Sequence, residues 1–282
     1  MEITERKKVR KSKRRFLKFR TLMIFLILVW WFNNYTLKTT HIELTSEKIS
    51  GNVRIAVISD CHSKKYGISN KAILRRISAN NPDIVFVMGD MYTQPSPPDI
   101  IQIPVDLTAD IVRAGYPVYF VTGEHDTDDS YIEAMQKAGA VLMNYSSQII
   151  EVNGNNIQLM GIDNVYYSPT FNLNNAFSLN PECYSILMAH IPNYEKFSLF
   201  GADLTLCADT HGGMIQLPFI GALIDSESMM LFPELLGLTV YDKGLFDYQD
   251  GTMFITSGIG ASPAPVRFCN RPEIAVIDIG NK

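Results

Sequence analysis

The chain has 282 residues, 46% of them hydrophobic and 19% charged, with 4 Cys, 14 Pro and 18 Gly. That is too apolar for a disordered chain, and four scattered cysteines are too few for a disulfide scaffold. The formal charge of −4 hides a split: residues 1–20 carry ten Lys/Arg and two Glu, net +8, which leaves −12 for the rest. An acidic body argues against nucleic acid as its partner.

The first element is the uncharged run Thr21 to Leu37, seventeen residues that follow the basic head directly. It is at the short end for a bilayer span, with the Trp30-Trp31 pair suited to an interface. The expectation is a basic cytoplasmic head (1–20), a transmembrane signal anchor (21–37) and a linker (38–50), with the domain 51–282 outside the cytoplasm, as the positive-inside rule directs. No A-x-A-like cleavage site follows the run. Ser12 to Lys18 also matches a degenerate twin-arginine export signal.

From Asn52 onward short Val/Ile-rich runs at 53–58, 84–88, 118–121, 184–189 and 204–207 read as buried strands. Helical patterns stand between them at 71–79, capped by Asn70, and at 105–114, 130–138 and 193–200. Hairpins are expected at 149–160 around Asn153-Gly154 and at 245–256 around Asp250-Gly251, with a last strand at 273–278. Strand–helix alternation implies one mixed-sheet α/β domain over about 50–282.

Five of the strands run into ligand-type residues: Asp60, His62, Asp90, Glu124, His125, His190, Asp209 and His211. The chain has five histidines and four of them fall there. In open α/β sheets sites form at the carboxyl ends of strands, so these residues are expected to share one metal site. Imidazole nitrogens and carboxylate oxygens suit Zn²⁺, Mn²⁺ or iron, and there are enough ligands for a second ion about 3.5–4 Å from the first. Such a pair hydrolyses phosphate esters.

These motifs resemble the calcineurin-like metallophosphoesterases, whose pattern D-x-H, G-D, G-N-H-[DE], H, G-H-x-H stands here as Asp60-Cys61-His62, Gly89-Asp90, Gly123-Glu124-His125-Asp126, His190 and Ala208-Asp209-Thr210-His211. The tail is similar to a membrane-anchored branch, the UDP-2,3-diacylglucosamine pyrophosphatases, through Gly212-Gly-Met-Ile-Gln-Leu-Pro-Phe-Ile-Gly221 and Arg271-Pro-Glu-Ile274. The resemblance implies two mixed β-sheets packed face to face with helices outside. It implies Asp60, His62 and His211 on a first metal, Asp90 as bridge, His190 with Glu124 and Asp209 on a second, and His125 assisting the leaving group. Glu124 and Asp209 replace the family's Asn and His. They add negative charge, which favours Mn²⁺ or Mg²⁺ in the second site. The expected activity is hydrolysis of a phosphodiester or pyrophosphate on a lipid or nucleotide-sugar substrate at the membrane. The alternative is a non-catalytic or weakly active metal-binding homologue.

Arg267 and Arg271 are candidates for substrate phosphate, with surface ion pairing the competing reading. Cys61 is expected to point away from the metal because side chains alternate along an extended segment. The apolar stretch Leu223 to Val240 reads either as a lid meeting lipid or as core packing.

Overall fold

The computed structural model describes residues 2–224, 229–262 and 264–282, and the side chains of its first helix from residue 14 onward. Helix α1 (Glu2–Tyr35) takes in the basic head and the apolar run without a break. Its segment Arg14–Tyr35, 22 residues, is long and apolar enough to cross a membrane, a test that a signal sequence near an N-terminus also passes. Only 6% of its apolar window is buried.

In chain order the domain then reads β1 (Lys38–Ser46), β2 (Asn52–Ile58), α2 (Asn70–Asn80), β3 (Ile84–Val87), α3 (Pro98–Arg113), β4 (Val118–Phe120), α4 (Asp129–Lys137), β5 (Val141–Leu142), β6 (Ser146–Val152), β7 (Asn155–Ile162), α5 (Leu173–Ala176), β8 (Tyr184–Ala189), α6 (Tyr194–Phe200), β9 (Leu204–Cys207), β10 (Gln216–Leu217), β11 (Gly221–Ala222), β12 (Gly244–Tyr248), β13 (Gly251–Ile255) and β14 (Glu273–Asn281). Two six-stranded mixed sheets form, in the orders β1-β14-β2-β3-β4-β5 and β12-β13-β9-β8-β7-β6. β2 to β5 run parallel through successive neighbours, as do β7, β8, β9 and β13. β14 runs antiparallel to β2, and the β6–β7 and β12–β13 hairpins are antiparallel.

Side-chain alternation builds the layers. In β2, Val53, Ile55 and Val57 face the second sheet and pack with Leu159, Ile186, Met188 and Leu206. Ala56 and Ile58 point the other way, onto Ile73 and Ile77 of α2 and Leu107 and Ile111 of α3. The outer face of the second sheet carries Leu187, Ala189 and Ile255 against Phe197 and Phe200 of α6. Both faces of the central strands are covered, which is why their sequence reads as unbroken apolar runs rather than alternation.

The expected strands, hairpins and helices are present, with three differences. α2 is capped by Ser69, whose side chain accepts from the Ala72 N–H, and Asn70 instead donates to the Ile103 carbonyl. α3 begins at Pro98 rather than 105, and Pro104 lies inside it. Residues 38–50, expected as a linker, contain β1, which pairs parallel with β14 from Lys38 opposite Glu273 to Ser46 opposite Asn281. Among the β1 residues Ile42 alone is buried, so this edge strand leaves little trace in the hydrophobic pattern.

The end of α1 is built into the domain. Asn34 Oδ1 accepts from the Arg267 N–H at 2.8 Å and its Nδ2 donates to the Arg267 carbonyl at 3.1 Å. Asn33 Oδ1 accepts from the Cys269 N–H at 2.8 Å, and Trp30 Nε1 donates to the Pro265 carbonyl at 2.7 Å. The polar pair that interrupts the apolar run is therefore the joint between helix and domain.

Candidate metal centre

The chain turns sharply after β2, β3 and β9 and delivers ligand-type residues from a left-handed backbone. Asp60, His62, Asp90, Asp209 and His211 have φ of 48°, 40°, 52°, 69° and 50°. Such angles are costly for residues with a Cβ, and their clustering marks a functional site. The loops after β2 and β3 are laced together by Asp60 N–H to the Gly89 carbonyl and His62 N–H to the Asp90 carbonyl. Gly89 and Gly123 make the close approach possible. A Cβ on Gly123 would lie 2.2 Å from Asp90 Oδ1, and one on Gly89 would lie 2.5 Å from the Gly123 nitrogen.

Three groups of side chains could each hold a metal ion: Asp60, His62 and His211; Asp60, Asp90 and His190; and His62, Asp90 and His125. His62 Nε2 and His211 Nε2 lie 3.1 Å apart, close enough for both rings to serve one ion. His190 Nε2 lies 3.4 Å from Asp90 Oδ2, 3.7 Å from Asp209 Oδ1 and 3.9 Å from Asp60 Oδ1. Asp60 Oδ2 and His190 Nε2 are buried and have no hydrogen-bond partner among the described residues. Buried polar atoms left unpaired are costly, and a cation would satisfy both. The donor set of imidazole and carboxylate fits a divalent transition metal.

The electrostatics point the same way. Burial pushes the Asp60 carboxyl up to about 7 against the pull of His190, with Asp90 and Asp209 adding to the push. Burial also pushes Asp209 up to about 6 against His190, with Glu124 and Asp90 reinforcing the rise. Burial would lower His190, but Asp90, Asp60 and Asp209 outweigh it and raise the imidazole to about 10. Burial opposes ionisation of Asp90, yet the facing His190 and the His125 N–H hold it down at about 2. Burial lowers His62 to about 4. With no cation bound the acidic cluster draws a proton onto His190, the place a metal ion takes when ligands deprotonate.

Second partners orient the rings. His190 Nδ1 donates to the Met88 carbonyl at 2.5 Å, which directs Nε2 at the carboxylates. His62 Nδ1 pairs with Thr93 Oγ1 at 2.8 Å. Asp126 Oδ2 accepts from the Asp90 N–H at 2.6 Å and the Gly123 N–H at 3.0 Å, tying the loops after β3 and β4. His125 Nδ1 accepts from the Gln94 N–H at 3.2 Å, so a neutral ring carries its proton on Nε2. Of these partners Asp126 stands in the quoted motif as its last acid. Thr93, Gln94 and the Met88 carbonyl sit in no motif, and folding alone brings them in.

The sequence candidates fare unequally. Asp60, His62, Asp90, His125, His190 and His211 converge, and Asp60, like Asp90, belongs to two of the groups. Asp209 stands at the edge of the cluster through its 3.7 Å approach to His190. Glu124 is exposed and joins none of the three groups, although its charge reaches Asp209.

Arg267 is not a surface residue. It is 1% exposed, and its guanidinium donates to the carbonyls of Ser257, Gly260 and His211 and faces His211 Nδ1 at 3.4 Å. Arg271 lies over the Phe32 ring and donates to Thr36 and Leu37 at the end of α1. The donors of Arg267 are thus spent on the protein's own atoms and leave none for substrate phosphate, whereas Arg271 is partly exposed beyond its contacts with the end of α1. Cys61 packs on the helical side of the first sheet, and all four cysteines are unpaired.

Comparison with known proteins places this geometry in a family. The profile of the calcineurin-like phosphoesterases matches residues 53–218, more than half of the chain and the span from Asp60 to His211. The chain is 24% identical over 234 residues to the uncharacterized metallophosphoesterase YkuE of Bacillus subtilis, covering 80% of this chain and 78% of that one. It is 22% identical over 230 residues to the uncharacterized metallophosphoesterase YkoQ of the same organism, covering 79% and 82%. The Haemophilus influenzae NAD nucleotidase aligns with a TM-score of 0.45 at 16% identity, over 73% of this chain and 44% of that one. The chain belongs to the calcineurin-like phosphoesterase family and is a metal-dependent hydrolase of phosphoester bonds.

Proposed function

We propose that the protein is a membrane-anchored enzyme that cleaves a phosphodiester or pyrophosphate bond, with a lipid or nucleotide-sugar carrying the phosphate. The observation that carries this reading is the joint between α1 and the domain. Asn34 holds the backbone of Arg267, and Arg267 donates to the carbonyl of His211, so the apolar helix ends two residues' contacts away from the cluster. Anchored this way, the centre works on phosphate close to a bilayer. The tail similarity to the UDP-2,3-diacylglucosamine pyrophosphatases points to the same substrate class. In this reading the basic head lies in the cytoplasm and the domain outside it, in line with the positive-inside rule.

Two divalent cations, when bound, polarise the phosphoryl oxygens and acidify the attacking water. Asp60, His62 and His211 would hold one of them and His190 the other, with Asp209 beside His190 and Asp90 shared between the two sets. Glu124, exposed but with its charge reaching Asp209, would add a further carboxylate to this second set. The added carboxylates favour Mn²⁺, with Zn²⁺, iron and Mg²⁺ as alternatives. Asp90 keeps its bridging orientation through the His125 N–H, which donates to Oδ1 at 2.9 Å. His125 Nε2–H would hydrogen-bond the departing oxygen and stabilise the charge that develops on it.

The test uses the full chain in detergent, loaded with Mn²⁺, on bis(p-nitrophenyl) phosphate and p-nitrophenyl phosphate. Metal-dependent turnover of the diester is expected. Preference for the monoester would defeat the diesterase reading, and a folded, metal-loaded protein inert on both would favour the non-catalytic homologue. His125→Ala should abolish turnover and retain metal, whereas Asp90→Ala should lose both.

A further inference from the structure

We propose that residues 214–224 and 229–238, with 266–268, form an apolar platform that seats in the interfacial layer of a lipid bilayer beside α1. This rests on the reading of α1 as a membrane anchor and goes beyond it: the domain itself enters the lipid surface.

Phe219, Met229, Leu231, Leu235 and Leu236 are each more than half exposed, and they lie within eighteen residues of one another in sequence. Other large apolar side chains exposed on the described domain, such as Tyr66, Ile149 and Leu199, are scattered along the chain. Large apolar side chains exposed together over so short a segment mark an interaction site.

The backbone shows where the patch sits. Ile215 bridges Phe268, with the Gln216 N–H donating to the Phe268 carbonyl and the Phe268 N–H to the Met214 carbonyl. β10 and β11 continue from there, and the Phe232 N–H returns to the Leu223 carbonyl. The strip 265–269 that carries this small sheet is the same strip that Trp30, Asn33 and Asn34 of α1 hold. Neighbouring strands lie about 4.8 Å apart, so the patch begins roughly 10 Å from α1. Within the strip Arg267 is buried while Val266 and Phe268 are exposed.

The level of the patch also fits. Trp30, Trp31 and Phe32 are exposed at the end of α1 and mark the height at which aromatic side chains sit at a membrane–water boundary. Trp30 is bonded to Pro265, so the strip and its apolar flanks stand at that height. Residues 214–240 contain no Lys or Arg. Glu234, the acid among the described residues of that stretch, folds its carboxylate back over Gly221 instead of presenting it outward. A face with no basic residues fits the apolar boundary of any bilayer and needs no anionic lipid; such elements enter about 5–10 Å.

The experiment reconstitutes the full chain, in a Cys61→Ser, Cys269→Ser background that leaves only the buried Cys183 and Cys207, into vesicles of phosphatidylcholine alone. Single cysteines at Phe219→Cys, Leu236→Cys, Ile27→Cys and Ile149→Cys are labelled with an environment-sensitive dye, and quenching by acyl-brominated lipid is measured. Ile27 reports the anchor. Ile149 lies on β6, at the edge of the second sheet opposite β12, and serves as the water-facing reference. Dyes at Phe219 and Leu236 should lose emission as the dye at Ile27 does, while that at Ile149 keeps it. Quenching at Ile27 with none at Phe219 or Leu236 overturns the platform and leaves the anchor standing. No quenching at Ile27 overturns the anchor and the platform together. Dyes at Phe219 and Leu236 shielded from aqueous iodide yet untouched by brominated lipid would mean that a second copy of the chain covers the patch, which also overturns it.

Discussion

Asp90 owes its position to what is absent beside it. With 2.2 Å between its Oδ1 and the place a Cβ on Gly123 would occupy, Gly123→Ala must displace the carboxylate shared by two of the ligand groups. Activity is expected to fall more than about a hundredfold with loss of bound metal, read by metal analysis of the purified protein. Ring orientation is a gentler lever. Thr93→Val keeps the volume and removes the Oγ1 partner of His62 Nδ1. Loss of such a partner should weaken metal affinity roughly 10–100-fold while the fold stays intact, measurable by competition with a chelating dye and by circular dichroism. Glycine requirements, acids and histidines can be read from motifs at this scale. Thr93 and Gln94 could not, because nothing in their own segment says that a loop from another strand will meet them.

At the scale of elements, the junction of α1, β1 and the strip 265–271 carries most of what the hydrophobic pattern failed to reveal. Asn33 and Asn34 look like a mere interruption of an apolar run, yet they are buried and bonded to backbone more than 230 residues away. Asn34→Ala leaves the buried Arg267 N–H and carbonyl unpaired, at a cost of about 2–3 kcal/mol. The melting temperature should drop by roughly 5–10 °C. A chain shortened to begin at residue 45 loses this joint and nearly all of β1, and it should melt lower still than Asn34→Ala. A melting temperature equal to that of the full chain would show that the joint contributes nothing to the domain. The edge strand escaped the sequence reading because a parallel edge with one buried residue has no periodicity to detect.

At the scale of the whole molecule, the packing of two sheets gathers Asp60, Asp90 and Asp209 around one buried histidine, and a cation is what balances them. Metal therefore binds the folded state alone. Saturating Mn²⁺ at about a hundred times its dissociation constant should add about 2.7 kcal/mol, and chelation should remove it, seen as a concentration-dependent melting temperature. Equal melting with and without chelator would count against the centre. The sequence by itself determined the family, the alternation of strands and helices, the order of the ligands along the chain and the apolar helix ahead of them, because these depend on local periodicity and on residue types at short spacing. Only the tertiary structure decided which ligands meet, that Glu124 stands apart, that Arg267 and Arg271 serve the protein's own backbone, and that β1 and α1 are joined to the last strand. Those facts depend on segments far apart in sequence coming within bonding distance, and a one-dimensional pattern holds no record of that.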